Sequence, residues 1–143
     1  MPYVSVWMHI VFSTKNREPF LDKKIRFPVF QHIKQNAEAK GIRLDCINGY
    51  HDHVHLLVAL SSTQTISDVV RLIKGESAHW INEQKLGGGG FKWQNDYFAV
   101  SVSQSAIETV RAYIYNQEEH HQTKDFAHEV RQFMERYDFG TPG

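Results

Sequence analysis

The order of strand-like and helix-like segments is the feature that most constrains how this 143-residue chain can fold. Residues 3–12 and 97–103 are rich in β-branched and aromatic side chains, which predicts strands. Residues 42–50 and 53–60 have the same character and are separated by a short polar turn, so they predict a hairpin. The chain therefore contains four predicted strands, of which two are adjacent in sequence.

Helical periodicity fills the spaces between these strands and the end of the chain. Apolar side chains recur every four residues over 22–40, where Pro28 predicts that the regular helix begins only near it. A second helix is predicted from Thr65, with capping-box spacing, and two more over about 105–120 and 125–137. The order β-α-β-β-α-β-α-α begins with the split βαβ pattern. We expect an α+β, ferredoxin-like fold, with one antiparallel sheet, helices packed on one face, and added C-terminal helices.

Composition indicates one ordinary globular domain spanning residues 1–143. Hydrophobic residues make up 41% and charged residues 22% of the chain, and no apolar run approaches the length of a membrane span. The N-terminus has no basic leader, so a cytoplasmic protein is expected. Cys46 is the only cysteine, which excludes an internal disulfide and a cysteine-based zinc site.

The charges are unevenly distributed along the chain. Residues 1–43 contain eight Lys or Arg against three Asp or Glu, and the remaining residues carry the opposite excess, so the net charge is zero. A basic segment is compatible with a polyanionic partner, while the neutral total argues against strong non-specific DNA affinity. The candidate phosphate contacts are Lys15, Arg17, Lys23, Lys24 and Lys74.

Two histidines lie in the second strand of the predicted hairpin. Side chains alternate along a strand, so His53 and His55 share one face while Val54 and Leu56 point to the other. We expect the apolar side chains to face the helix-packed core and the imidazoles to share the open face. There they would suit a common metal ion or phosphate, although two exposed strand histidines without a function would show the same pattern.

A tyrosine and a glutamine lie four residues apart on the third predicted helix. Tyr113 and Gln117 therefore share one helical face, beside the apolar stripe that includes Ile114. Tyr115 lies roughly 200° around the helix from Tyr113, so the two cannot serve one site equally. An interfacial tyrosine with a hydrogen-bonded hydroxyl is the alternative to a functional residue here.

Taken together, these motifs resemble the single-tyrosine HUH transposases of small bacterial insertion sequences, which include the repeat-associated tyrosine transposases. His53-Val54-His55 matches the family's His-hydrophobic-His motif, and Tyr113 with Gln117 matches its Tyr-x-x-x-Gln helix. The resemblance covers most of the chain; it also includes His9–Phe12, Ile66–Asp68, Lys74-Gly75, Asp96–Phe98 and Asn116–His121. His51 stands where proline is frequent in the family, and we expect a turn residue there.

The resemblance implies cleavage and rejoining of single-stranded DNA, with Tyr113 as the nucleophile and a 5′-phosphotyrosine intermediate. It implies Mg²⁺ or Mn²⁺ held by His53, His55 and Gln117, a mixed nitrogen and oxygen set that suits these ions. Hairpin ends of the element would be the DNA partner and a homodimer the assembly. His120 and His121 could assist this site, but their place near a helix end favours surface or capping roles.

Two other functions remain open at this stage. A non-catalytic or domesticated nucleic-acid-binding module could use the same fold, because fold does not fix function. The alternating histidines from His51 to His55 also resemble histidine-triad nucleotide hydrolases, but Asp52 stands where that motif needs a hydrophobic residue. The histidine-triad alternative also gives no task to Tyr113 and Gln117.

Overall fold

A computed structural model describes residues 1–121 and 125–140 of the chain. Its elements are β1 (Val6–Ser13), α1 (Lys23–Ala39), β2 (Arg43–Gly49), β3 (His53–Leu60), α2 (Ile66–Glu83), β4 (Phe98–Val102), α3 (Ile107–Tyr115), α4 (Gln117–His120) and α5 (Phe126–Arg136). Short 3₁₀ turns cover Lys15–Arg17, Leu86–Gly88 and Gln104–Ala106. No helix within the described residues is both long and apolar enough to cross a membrane.

The four strands form one antiparallel sheet in the order β2-β3-β1-β4, which is the predicted ferredoxin-like topology. Val11 pairs with His55 and Ser13 with His53, so the site histidines lie at the centre of the sheet. Residues directly opposite each other in a sheet share a face. His9, two residues before Val11, therefore lies on the histidine face.

Helices α1 and α2 cover the other face, as the alternation predicts. Ile10, Val54 and Leu56 have less than 2% of their surface exposed beneath them. Asp22 caps α1 by accepting from the backbone N–H groups of Lys24 and Ile25, and Thr65 caps α2 by accepting from that of Asp68. These caps satisfy N–H groups that have no partner inside a helix.

The prediction that α1 begins only near Pro28 is wrong. The helix starts at Lys23, five residues earlier, and Pro28 lies in its second turn. A proline in a helix removes one backbone hydrogen bond. The cap from Asp22 and the burial of Val29, Phe30 and Ile33 against the sheet outweigh that loss.

Gly49, at the end of β2, allows the backbones of β2 and β3 to approach closely in the hairpin that carries His53. A Cβ atom on Gly49 would lie 2.2 Å from the carbonyl oxygen of His53 and 3.0 Å from the Cα of Val54. Both are backbone atoms of the strand that carries the site, so neither can move away without displacing His53.

Gly49→Ala is therefore expected to lower the free energy of unfolding by about 2 kcal/mol or more, the usual size of an overpacking effect. Gly75→Ala is the matched control: a Cβ atom there meets nothing within 4 Å, and inside α2 alanine should stabilise by about 0.5–1 kcal/mol. Urea denaturation of both variants measures the difference. Equal stability of Gly49→Ala and the unsubstituted protein would contradict the close approach.

Candidate active site

The face of the sheet that carries the histidines is covered, whereas the sequence predicts an open face. Cys46 and Leu57 on this face pack against Ile107 and Ile114 of α3, and α4 and α5 lie over the neighbouring part. His53 and His55 have no exposed surface. The expectation is wrong because the C-terminal helices pack back on the sheet. There the apolar side chains of these helices are removed from water, which lowers the free energy of the folded state.

His53 is oriented by its sequence neighbour. The Nδ1 atom of His53 lies 2.8 Å from Oδ1 of Asp52, a pairing that directs Nε2 into the covered face. There Nε2 lies 3.2 Å from Oε1 of Gln117. A carboxylate on the far nitrogen of an imidazole is the usual support of a metal-ligating histidine. Asp52, which breaks the histidine-triad pattern, thus has a positioning role.

His55 is oriented by His9. The Nδ1 atom of His55 lies 2.9 Å from Nε2 of His9, and the two rings stack at 5.1 Å. Burial, with the nearby His55, lowers the pKa of His9 to about 3. Burial also lowers the pKa of His55 to about 4, although Glu129 opposes the shift. Both rings are therefore neutral at pH 7, the form in which an imidazole binds a metal.

Tyr113 reaches the same covered face from α3. Its ring centroid lies 5.6 Å from that of His55, and its hydroxyl donates a short hydrogen bond to Oε2 of Glu129. Burial raises the pKa of Tyr113 well above the usual value near 10, and the Glu129 carboxylate adds to the shift. In this arrangement the phenol holds its proton at neutral pH. Tyr115 is 58% exposed on the opposite side of the helix, as expected.

Gln117 is buried and follows a break in the predicted 105–120 helix. The helix ends at Tyr115 because Asn116 has φ −94° and ψ 18°, and a short α4 begins at Gln117. The amide Nε2 of Gln117 donates to the carbonyl oxygen of Tyr113 at 3.4 Å, which leaves Oε1 facing His53. The break changes the direction of the chain but keeps Tyr113 and Gln117 in one site.

A buried arginine holds α4 against the rest of the domain. Arg26, 2% exposed on α1, donates through Nη2 to Glu118 at 2.8 Å and through Nη1 to the carbonyl oxygen of Leu21 at 3.3 Å. A charge-assisted hydrogen bond is stronger than a neutral one, and this one holds Glu118, the residue next to Gln117. It therefore supports the position of Gln117.

Glu129 and His121 join the cluster; Glu129 was not a candidate from the sequence, and for His121 a surface or capping role was expected over a role in the site. Both are buried; Oε2 of Glu129 lies 3.2 Å from Nε2 of His121 and also 3.2 Å from Nε2 of His120. The expected surface role of His120 and His121 is therefore wrong for the buried His121. A sequence pattern could have indicated Glu129. It is an acidic residue on the stripe of α5 that is otherwise formed by the apolar residues Phe126, Val130 and Phe133.

The donor atoms of this cluster fit a divalent cation. One ligand atom from each of His53, His55, His121 and Glu129 lies within 4.8 Å of all the others. Nε2 of His55 and Oε1 of Glu129 are buried 2.7 Å apart, yet neither has a hydrogen-bond partner of acceptable geometry. Adjacent ligands of an octahedral Mg²⁺ at about 2.1 Å lie about 3 Å apart, which is close to the 2.7 Å between Nε2 of His55 and Oε1 of Glu129.

The five candidate phosphate contacts divide into two groups. Lys15, Arg17, Lys23 and Lys24 are exposed. The segment that carries them contacts the turn before His53, because the backbone N–H groups of Thr14 and Leu21 donate to carbonyl oxygens of that turn. Lys74 instead donates through Nζ to three backbone carbonyl oxygens at 2.6, 3.0 and 3.1 Å, those of Gln94, Asn95 and Asp96. These contacts give Lys74 a structural task, to anchor the segment before β4.

Two cavities adjoin the cluster. One of about 790 Å³ gives access to Tyr113 and is lined by Arg136 of α5 and by Ser101 of β4. The other, of about 440 Å³, is lined by Arg17, Tyr97 and Phe98, and the guanidinium of Arg17 lies 5.2 Å from the centre of the Phe126 ring. Arg17 has a φ of 55°, a left-handed conformation that costs about 1 kcal/mol outside glycine.

Comparison with known proteins gives a consistent result. A family model described as "Transposase IS200 like" matches residues 3–117. The ISDra2 transposase TnpA of Deinococcus radiodurans is 27% identical over 115 residues, which cover 76% of this chain and 81% of that protein. The transposase for insertion sequence element IS200 of Salmonella typhimurium is 29% identical over 90 residues, which cover 63% of this chain and 59% of that protein.

Solved structures agree with these sequence matches. A crystal structure of a transposase from Deinococcus radiodurans R1 matches with a TM-score of 0.64 and 26% identity, covering 82% of this chain and 95% of the other. A REP-associated tyrosine transposase, solved bound to a REP hairpin, matches with a TM-score of 0.62 and covers 85% of this chain and 72% of the other. Its identity of 16% supports the shared fold alone.

Proposed function

Because the chain belongs to the family of IS200-like transposases, we propose that it cuts and rejoins single-stranded DNA through a 5′-phosphotyrosine on Tyr113. The observation that carries this proposal is the convergence of Tyr113 with two neutral imidazoles inside one chain. The tyrosine ring lies 5.6 Å from that of His55, and Gln117 lies 3.2 Å from His53.

The proposed step is a transesterification. The phenol oxygen of Tyr113 forms a bond to phosphorus, the bond from phosphorus to the 3′ oxygen breaks, and the 5′ phosphate stays on the tyrosine. The proton that the phenol loses is balanced by the one that the 3′ oxygen gains. Because the number of phosphate ester bonds is unchanged, the 3′-OH of another strand can reverse the step and rejoin the DNA.

Activation of Tyr113 is the chemical difficulty. Its phenol is neutral at pH 7 and burial raises its pKa further, so the nucleophile is weak without help. His53, His55 and Gln117 would hold Mg²⁺ or Mn²⁺, with Asp52 and His9 fixing the two imidazoles. When bound, such an ion polarises the phosphate and stabilises the charge that develops during displacement.

Two surfaces are the proposed DNA contacts. The cavity of about 790 Å³ beside Tyr113 would admit the scissile phosphate, and Arg136 on its rim would pair with it. The exposed Lys15, Arg17, Lys23 and Lys24 would follow the backbone on the other side of His53, while Tyr97 and Phe98 offer stacking surfaces. Hairpin ends of the element remain the proposed substrate, and homodimer formation remains a prediction.

Strand cleavage on matched DNA substrates tests this function. Single-stranded DNA from the flanks of the encoding gene should be cut when Mg²⁺ or Mn²⁺ is present, and neither the duplex form nor samples with EDTA should react. Binding without cleavage under all conditions would favour the non-catalytic module. Metal-independent hydrolysis of nucleotide phosphoramidates would instead favour the histidine-triad hydrolase.

A further inference from the structure

A buried carboxylate on α5 occupies an unusual position. Glu129 is 1% exposed and lies on the stripe through which Phe126 and Phe133 pack on the histidine face. Burying an ionised carboxylate costs several kcal/mol unless charges or hydrogen bonds compensate for it. The burial of Glu129 therefore indicates that groups in the cluster compensate for its charge.

The two oxygens of Glu129 face different groups. Oε1 lies 2.7 Å from Nε2 of His55 and 3.7 Å from Nε2 of His53. Oε2 accepts from the hydroxyl of Tyr113 and lies 3.2 Å from Nε2 of His121. The carboxylate therefore stands between the two candidate metal ligands on one side and the candidate nucleophile on the other.

The contacts of Oε1 are incomplete without a cation. Nε2 of His55 and Oε1 of Glu129 have no acceptable hydrogen-bond geometry despite their 2.7 Å separation. If His55 donates through Nδ1 to His9, its Nε2 presents a lone pair, and two electron-rich atoms then face each other in a buried space. A shared positive ion converts this repulsion into attraction for both atoms.

We infer that Glu129 is a ligand of the metal through Oε1, while Oε2 holds the hydroxyl of Tyr113. The inference rests on the proposed metal site and extends it to α5, which lies beyond the Tyr-x-x-x-Gln motif. One carboxylate among the ligands also gives the site a negative charge, which Mg²⁺ and Mn²⁺ prefer over a fully neutral set. His121 is then a positioning residue, since it contacts the oxygen that the metal does not use.

Glu129 in this role makes α5 part of the active site. The ring of Phe126 stacks on His53 at 4.2 Å, so the helix contacts a metal ligand and supplies another. Ion binding and the orientation of Tyr113 are thereby linked through one side chain.

Mn²⁺ titration of the purified protein, without DNA, tests the inference. The free ion is followed by its electron paramagnetic resonance signal in the unsubstituted protein and in Glu129→Gln, which keeps the shape of the side chain. We expect Glu129→Gln to weaken Mn²⁺ binding by about 10- to 100-fold. Glu135→Gln, at an exposed position of the same helix, is the matched control and should bind Mn²⁺ normally.

The outcomes separate this inference from the proposed function. Loss of Mn²⁺ affinity in His53→Ala and His55→Ala, with normal affinity in Glu129→Gln, would overturn the role of Glu129 and leave the histidine site intact. Normal affinity in both histidine variants, or no binding by the unsubstituted protein, would overturn both. Circular dichroism checks that each variant is folded, and Glu129→Asp, which keeps the charge on a shorter side chain, should bind Mn²⁺ more tightly than Glu129→Gln.

Discussion

Replacing Tyr113 with phenylalanine is expected to abolish the covalent DNA adduct and to slow strand cleavage by about 10⁴-fold or more, as loss of a catalytic nucleophile does elsewhere. The substitution removes only the hydroxyl, which donates to Glu129, and leaves the edge contacts of the ring with His9 and His55. The free energy of unfolding should fall by about 1.5–3 kcal/mol, the usual effect of one hydrogen bond to a charged group. Quantitative cleavage of labelled single-stranded DNA measures the rates.

Tyr115→Phe is the matched control for this variant. Tyr115 lies two residues away and is 58% exposed, with no place in the cluster. It should cleave DNA at the unsubstituted rate. Retention of adduct formation in Tyr113→Phe, or an equal loss in Tyr115→Phe, would be incompatible with Tyr113 as the nucleophile.

Lowering the pH from 7 to 4 is expected to reduce the free energy of unfolding of the metal-free protein by about 3 kcal/mol for each of two buried histidines, or about 6 kcal/mol in all. Histidine in an unfolded chain takes up a proton near pH 6.5. Burial lowers the pKa of His9 to about 3 and that of His55 to about 4. The unfolded state thus binds more protons throughout this interval, and stability must fall as the pH falls.

Urea denaturation in EDTA at several pH values measures this dependence. His9→Gln provides the comparison, because glutamine can hydrogen-bond to His55 but cannot be protonated, and its stability should depend less steeply on pH. The pKa of Glu129 in the folded state lies below its usual range. Below about pH 4.5 this carboxylate therefore also lowers the free energy of unfolding as the pH falls, and it does so in both proteins. A constant stability between pH 7 and 5 would show that the buried imidazoles do not titrate as expected.

The sheet and its helices could be predicted because each depends on local sequence patterns. Alternation in residues 53–60 determines which face carries His53 and His55, and the order of segments specifies the split βαβ topology. The motif residues His53, His55, Tyr113 and Gln117 meet in one cluster. The two histidines are neighbours on β3, and Tyr113 and Gln117 lie on α3 and α4; packing of these helices on the sheet brings the two pairs together.

The parts that could not be predicted depend on long-range packing. The apolar stripe of α5 predicts that the helix is packed on one side, but it does not predict which surface it covers. Glu129 could therefore be recognised only as an acidic residue in an apolar stripe. The break at Asn116 follows from α4 packing through Arg26 and Glu118, a contact between residues 92 positions apart. The buried positions of His53 and His55 follow from the return of the same C-terminal helices.

The most direct test of Tyr113 as the nucleophile is to identify the residue that carries DNA after reaction. The protein would be incubated with single-stranded flanking DNA and Mn²⁺, digested with protease and nuclease, and analysed by mass spectrometry. We predict a nucleotide linked through its 5′ phosphate to the peptide that contains Tyr113, with a free 3′-OH on the released strand. A nucleotide attached to any other residue, or cleavage with no covalent adduct, would contradict the assignment of Tyr113.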